Sequence, residues 1–201
     1  MKTSIIGTAL LLSTTGFAGQ AYTPGSYQID PMHSKVGFEV PHLVISSVEG
    51  RFNEYQGDFS LGEKFSDSRL SVTIETKSVD TAIRKRDDHL RSADFFDVAK
   101  FPKMTFKSKR IEGTPEAFTA MGDLTIKDVT KEVTLEGKYL GSVKDGYGNF
   151  KAAFSAVTKL SRKDFGLTWN SLVEAGPVVG DEVTISLKVQ AAKVADKHAA
   201  K

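Results

Sequence analysis

The sequence predicts an all-β, antiparallel fold, and three observations point to it. Most of the chain alternates apolar and polar residues with period two, which gives each segment one apolar face. Turn-forming dipeptides separate those segments. Only one stretch, Ser78–Ser108, carries a convincing helical pattern. Roughly eight or nine strands built this way must each bury a face. A sheet curled on itself does so and leaves few edges; a two-sheet sandwich satisfies the same pattern, and periodicity alone does not separate the two.

Taken in order, Ser26–Asp30 alternates around Tyr27 and Ile29. Lys35–Val40 then places Val36, Phe38 and Val40 on one face. Pro41 has no N–H to donate and limits how far pairing continues. Val48, Gly50 and Phe52 keep one phase, and the phase slips before Tyr55, Gly57 and Phe59, which predicts a bulge or bend. Leu70, Val72 and Ile74 form the next face. Beyond the helical stretch, Met104 and Phe106, Leu124 and Ile126, Val133 and Leu135, and Phe150 to Ala156 continue the alternation. Val183, Ile185, Leu187 and Val189 form the cleanest strand. Turns are expected at Glu112-Gly113, Lys127-Asp128 and Asp145-Gly146.

Within the helical stretch, Asp80 or Thr81 is placed to cap the first turn. Ile83 and Leu90 fall on one face, and Asp87 and Arg91 stand at i,i+4. Phe95, Phe96 and Phe101 follow just ahead of Pro102. A short charged helix ending in aromatics, inside a β-rich chain, has the look of a lid; the same pattern suits a plug made of ordinary core residues.

Composition bounds the function. The 201 residues are 40% apolar and 26% charged, which is globular, and the length suits one domain. A formal charge of +2 argues against nucleic acid, which wants a concentrated basic surface. Residues 1–21 read as a cleaved secretory signal: Lys2, a short apolar run at Ile5–Leu12, and cut sites after Ala18 or Ala21. Cysteine is absent, so no disulfide, thiolate metal site or cysteine nucleophile is available. His33, His42 and His89 lack the close spacing of a zinc pair. No G-x-S-x-G elbow occurs, and Asp164-Phe165-Gly166 stands without any nucleotide loop. Neither catalytic residues, nor a metal, nor a cofactor is expected.

Several pieces together resemble a known family. They are DPMHSKVGFEVPHL at Asp30–Leu43, SSVEGRF at Ser46–Phe52, SVDT at Ser78–Thr81, and RDDHLRSADFFDVAKFPKMTF at Arg86–Phe106. GDLTIKDVTKEVTL at Gly122–Leu135, RKDFGLTW at Arg162–Trp169 and VGDEVTISL at Val179–Leu187 complete the set. In this order they are similar to the YceI-like family of periplasmic, polyisoprenoid-binding proteins. The resemblance implies an antiparallel eight-stranded lipocalin-like β-barrel with a short helical lid, occupying residues 22–192 before a polar tail at 193–201. It also implies a periplasmic location and a polyisoprenoid or isoprenoid quinone as ligand.

An eight-stranded barrel holds either packed side chains or one ligand. Gly50, Gly122, Gly137, Ala152 and Ala156 share the inward phase and are expected to leave a channel between the large residues. With almost no inward charge, such a channel selects an apolar chain, at about 0.8 kcal/mol for each buried CH₂. The expected tail contacts are Phe38, Val40, Phe52, Ile74, Leu90, Phe95, Phe96, Met104, Phe106, Leu124, Ile126, Leu135 and Trp169, with Trp169 closing the base of the barrel. Arg86, Asp87 and His89 stand where the family's lid motif is polar. Head-group contact is one reading of them; tying the helix to the rim is the commoner one. At most transient membrane contact is expected, and an edge near Gly57–Leu61 offers a place for a homodimer. An enzyme acting on a small apolar molecule and a filled barrel that binds another protein are the rival readings.

Overall fold

A computed structural model of the chain describes residues 22–173 and 176–194. The expected signal segment, 1–21, lies outside them, as does the tail beyond Val194.

The strands are β1 (Gly25–Ile29), β2 (Lys35–His42), β3 (Ser46–Phe52), β4 (Tyr55–Leu61), β5 (Arg69–Glu75) and a two-residue β6 (Val79–Asp80). The single α-helix among the described residues, α1 (Arg84–Arg91), follows. Then come β7 (Lys103–Thr114), β8 (Ala117–Ile126), β9 (Val129–Lys144), β10 (Phe150–Ser161), β11 (Leu172–Val173), β12 (Gly176–Pro177) and β13 (Glu182–Lys193). The pairing order β1-β4-β5-β7-β8-β9-β10-β13 returns to β1, which closes an eight-stranded antiparallel barrel. Barrel rather than sandwich is therefore the outcome.

Two of the eight staves are broken in the middle. Along one edge of β13, Lys35–Glu39 of β2 pair with Thr184–Lys188, and Tyr27–Ile29 of β1 pair with Ala191–Lys193. Between them Asp30 anchors a tight turn by accepting from the Met32 N–H (3.1 Å) and from His33 Nδ1 (2.8 Å). The next stave breaks at Asn53-Glu54, so β3 pairs with β2 while β4 pairs with β1. This corner is the phase slip expected before Tyr55. Pro41 still faces Ser47 on β3, but pairing with β13 stops at Glu39 and the Gly180 N–H donates to the Pro41 carbonyl instead (2.8 Å).

Several expectations need correction. Gly113 continues β7, and the turn is Pro115-Glu116, three residues later, where proline supplies the fixed φ of a turn. Residues 57–61 offer no free edge, because β4 is paired to β1 on one side and to β5 on the other. Lys193 belongs to β13 and donates to the Pro24 carbonyl, so the barrel runs one residue past the expected boundary. The inward glycines leave no channel. A Cβ on Gly50 would fall inside the ring of Phe38, its partner across the strands, and one on Gly137 inside the ring of Phe118. At these positions the tip of an aromatic ring occupies the space a side chain would take.

The barrel's far end, opposite α1, is floored by aromatic side chains. Tyr22, Phe65 and Phe118 meet edge-on or tilted at 5.3–5.7 Å, and Tyr139, Phe154 and Phe59 continue the contact at 5.0–5.2 Å. Such pairs add about 0.5–1.5 kcal/mol each beyond their buried area.

Gly122 differs from Gly50 and Gly137 because its Cβ would strike the Lys107 carbonyl and Ser108 Cα, backbone that cannot swing away. Replacement by alanine at Gly122 is expected to cost about 1–3 kcal/mol in urea unfolding. The same change at Gly50 or Gly137, where a ring can tilt, should cost clearly less; equal losses at all three would contradict the distinction.

Candidate ligand cavity and its lid

Inward residues of all eight staves surround a central cavity. Space for the centres of water-sized spheres amounts to about 240 Å³, and the walls are almost entirely apolar. Twelve of the residues expected from alternation face it: Phe38, Val40, Phe52, Ile74, Leu90, Phe95, Phe96, Met104, Phe106, Leu124, Ile126 and Leu135. Ala156 does as well. Ala152 is buried in the wall without reaching the cavity. The register explains the convergence, since Ile74 opposes Met104, Val72 opposes Phe106, and Phe106 opposes Leu124 on successive staves. One face of each strand can only point inward once the sheet has closed.

Trp169 is the exception. It does not line the cavity and does not close the base. Its indole packs against Phe95 (5.2 Å between ring centroids) and edge-on against His89 (4.8 Å), at the same end as α1. The loop carrying it turns back over the rim, which alternation cannot foresee because the residue sits outside any strand.

The lid is held by polar bonds that replace the expected ones. Neither Asp80 nor Thr81 caps α1; Asp80 accepts from the Ala82 N–H (2.9 Å), and the helix begins at Ile83 without a side-chain cap. Asp87 instead reaches back from the first turn, accepting from the Thr81 N–H (2.8 Å) and from the Thr81 hydroxyl. Asp87 is thereby buried, and the Asp87–Arg91 pair does not form. The Thr81 hydroxyl also accepts from Arg86 Nε (2.7 Å), and Arg86 donates again to the Thr81 carbonyl (2.8 Å). Arg91 pairs with Asp88 (3.1 Å) and donates to the carbonyls of Lys77 and Val79, both at 2.7 Å. Ile83, expected to join Leu90 on the apolar face, points to solvent. Arg86 and Asp87 are thus occupied in fastening α1 to Thr81, the residue that follows β6. His89 remains at the mouth, bonded to Asp94 (2.8 Å) with its ring against Phe95 and Trp169.

Sequence reasoning missed Arg162, which interrupts the expectation of an uncharged interior. It is only 4% exposed and touches the cavity at the lid end. Its Nε donates to the Gly180 carbonyl (2.8 Å), Nη1 to Leu167 and Trp169 (2.8 Å), and Nη2 to Val179 (3.4 Å) and to the Asp181 carboxylate (3.3 Å). These acceptors match the five donors of a guanidinium. Burial pulls its pKa down and Asp181 acts against that. The turn after it is closed by buried Phe165 and by Gly166 at φ 73°, a left-handed conformation that suits glycine. The available signal was position: an arginine at the end of a strand, just before a turn, facing the loop Gly180–Asp181. Among the described residues no three His, Asp or Glu side chains gather as a metal site.

Replacing Arg162 with Met would leave the carbonyls of Leu167, Trp169 and Gly180 without donors, while Val179 keeps its bond from Asn170. The variant is expected to lose about 3 kcal/mol or more in chemical unfolding. At Asp87, Asn keeps an acceptor for Thr81 and Ala keeps none. Asp87→Ala is therefore expected to speed hydrogen exchange across Arg84–Arg91 by at least about tenfold, with Asp87→Asn close to wild type. Equal exchange in both variants would mean that the Thr81 bonds do not hold the lid.

Comparison with known proteins agrees with this architecture. A family model described as the YceI-like domain matches residues 27–191. The chain is 40% identical to Protein YceI of Salmonella newport over 195 residues, covering 94% of this chain and 97% of that one, and equally similar to Protein YceI of Salmonella arizonae. The crystal structure of a YCEI protein from Campylobacter jejuni superposes with a TM-score of 0.67 at 33% identity, covering 88% and 99% of the two chains. At 15% identity, a polyisoprenoid binding domain from Saccharophagus degradans has the same fold, with a TM-score of 0.62 over 84% and 98%. The chain belongs to the YceI-like family.

Proposed function

We propose that this protein is a non-catalytic carrier that takes the tail of a polyisoprenoid or isoprenoid quinone into the barrel. The observation that supports this most directly is a central cavity whose wall is apolar on every stave and includes Phe95 and Phe96 of the lid segment. Such a wall offers an apolar chain about 0.8 kcal/mol for each CH₂ taken from water, less the cost of ordering the chain. It offers a polar substrate nothing to orient it. The solved neighbour named as a polyisoprenoid binding domain, although distant in sequence, favours the same class of ligand.

On this reading the twelve cavity residues hold the tail and His89, beside Trp169, meets the head group at the mouth. Arg86 and Asp87 act only by holding the lid. No cofactor or metal takes part. The apolar run at Ile5–Leu12 with its small-residue cut sites supports export to the periplasm, where a lipid crossing water needs a container.

The test is organic extraction of protein purified from its own cells, followed by mass spectrometry. One polyprenyl or quinone species near one per protein is the expected result. Phe106→Asp, which puts a carboxylate in the middle of the wall, should abolish that yield while the barrel still folds by circular dichroism. A folded Phe106→Asp protein that carries the lipid at wild-type yield would sink the proposal.

A further inference from the structure

The rim beside the lid carries an apolar surface that folding does not use. Two thin loops meet there. The β2–β3 turn holds Leu43-Val44-Ile45, and the β11–β12 hairpin holds Leu172 and Val173. They are joined by the Leu43 N–H donating to the Val178 carbonyl (3.0 Å) and by a bridge between His42 and Val179. Val44 is 70% exposed and Ile45 88% at the first turn, and Leu172 is 82% exposed on β11, with Val173 half exposed. The first tip is also strained. Leu43 and Val44 sit at φ 52° and 67°, a left-handed conformation that is unfavourable for any L side chain and worst for a β-branched one. That strain is not repaid within the fold by burial of the Val44 or Ile45 side chain. It holds them outward instead, the kind of outlier that points to function.

We infer that this lip docks on the surface of a phospholipid bilayer by inserting Val44, Ile45, Leu172 and Val173 into its interface. Three features favour a bilayer over a protein. The loops carry little charge: no Asp, Glu, Lys or Arg lies between His42 and Glu49, and Glu174, beside Val173, is the one charged residue between Asp164 and Asp181. They are narrow as well. A stable protein interface takes about 800 Å² and 20–30 residues from each partner, and four side chains on two loop tips fall far short of it. A bilayer accepts apolar tips without matching their shape. Finally, the lip is continuous with the cavity, because Val40 and Val179, at the base of the two loops, line it. Trp169 stands three residues before Leu172, and an indole is at home at the headgroup level. The purpose of docking rests on the carrier reading: a tail leaving the cavity would slide over the lip into lipid without crossing water. The docking itself does not depend on that reading.

Trp169 is the only tryptophan, so its emission reports on this rim alone. The protein, in the form its cells accumulate, is mixed with vesicles of neutral phosphatidylcholine whose chains are brominated. Quenching of Trp169 and co-flotation with the vesicles are expected, both insensitive to added salt. The double variant Ile45→Asp, Leu172→Asp changes only exposed side chains. It should float and quench at least about tenfold less while melting as the wild type does and still taking up polyprenol from detergent. A wild type that neither floats nor is quenched, or a double variant that does both as well as wild type, overturns the inference. So does a solution dimer that the double variant abolishes in the absence of vesicle binding, which would assign the lip to a second copy. Vesicle docking by a protein whose cavity takes up no polyprenol would uphold the lip while removing the carrier reading.

Discussion

Strand β13 completes the structure. Through its length it pairs with β10 on one side, and on the other with β2 and then β1. Without that last pairing the eight strands would be an open sheet with two long unpaired edges and an apolar face exposed to water. With it, the inward side chains are taken from water together and the two long edges pair with each other. Closure also explains why the interior is only partly filled. Eight strands set a diameter that side chains can fill or a ligand can occupy. Here the rings of Phe38 and Phe118 are spent covering Gly50 and Gly137, which leaves the centre open.

Closure by itself leaves two open ends, and the two are treated differently. At the far end aromatic rings pack on one another, an arrangement held by area and ring geometry. At the lid end, polar groups do the holding. The carboxylate of Asp87 gathers the backbone and hydroxyl of Thr81, while Arg91 ties the same helix to the carbonyls of Lys77 and Val79. Opposite them Arg162 gathers the chain on both sides of β11–β12. Buried polar groups of this kind fix one geometry, because each alternative leaves a donor or acceptor unpaired. Between these fastened parts stands the rim of Val44, Ile45 and Leu172, which nothing in the described chain covers. The barrel thus has a floor of packed rings at one end and, at the other, a fastened helix beside a bare apolar lip.

The alternation of Val36, Phe38 and Val40, and of Val183 to Val189, was enough to establish the strands, since a half-buried strand has no other way to distribute its apolar residues. With Leu90, Phe95 and Phe96 supplied by the helical stretch, the same period placed nine side chains on what became the cavity wall. It also located the corner before Tyr55 from a slip in phase. Fold class, strand faces and the candidate wall were therefore written in the chain itself, because each depends on neighbours one or two residues away.

Whether the sheet would close was decided only by pairing between residues more than a hundred positions apart, and the resemblance to a family was needed to expect it. Tertiary structure likewise decided the fate of the glycines, whose neighbours are rings on the adjacent strand. It moved Trp169 from the base to the lid, because a loop has no period to constrain it. It assigned Asp87 to Thr81 rather than to Arg91, since a buried carboxylate bonded to an N–H and a hydroxyl displaces an exposed ion pair between helical neighbours. Arg162 became visible only once the turns around Leu167 and Gly180 had folded over it. Local pattern dictates which face of a strand is apolar; which groups meet across the mouth of a barrel is set by long-range contacts, and there the polar bonds choose.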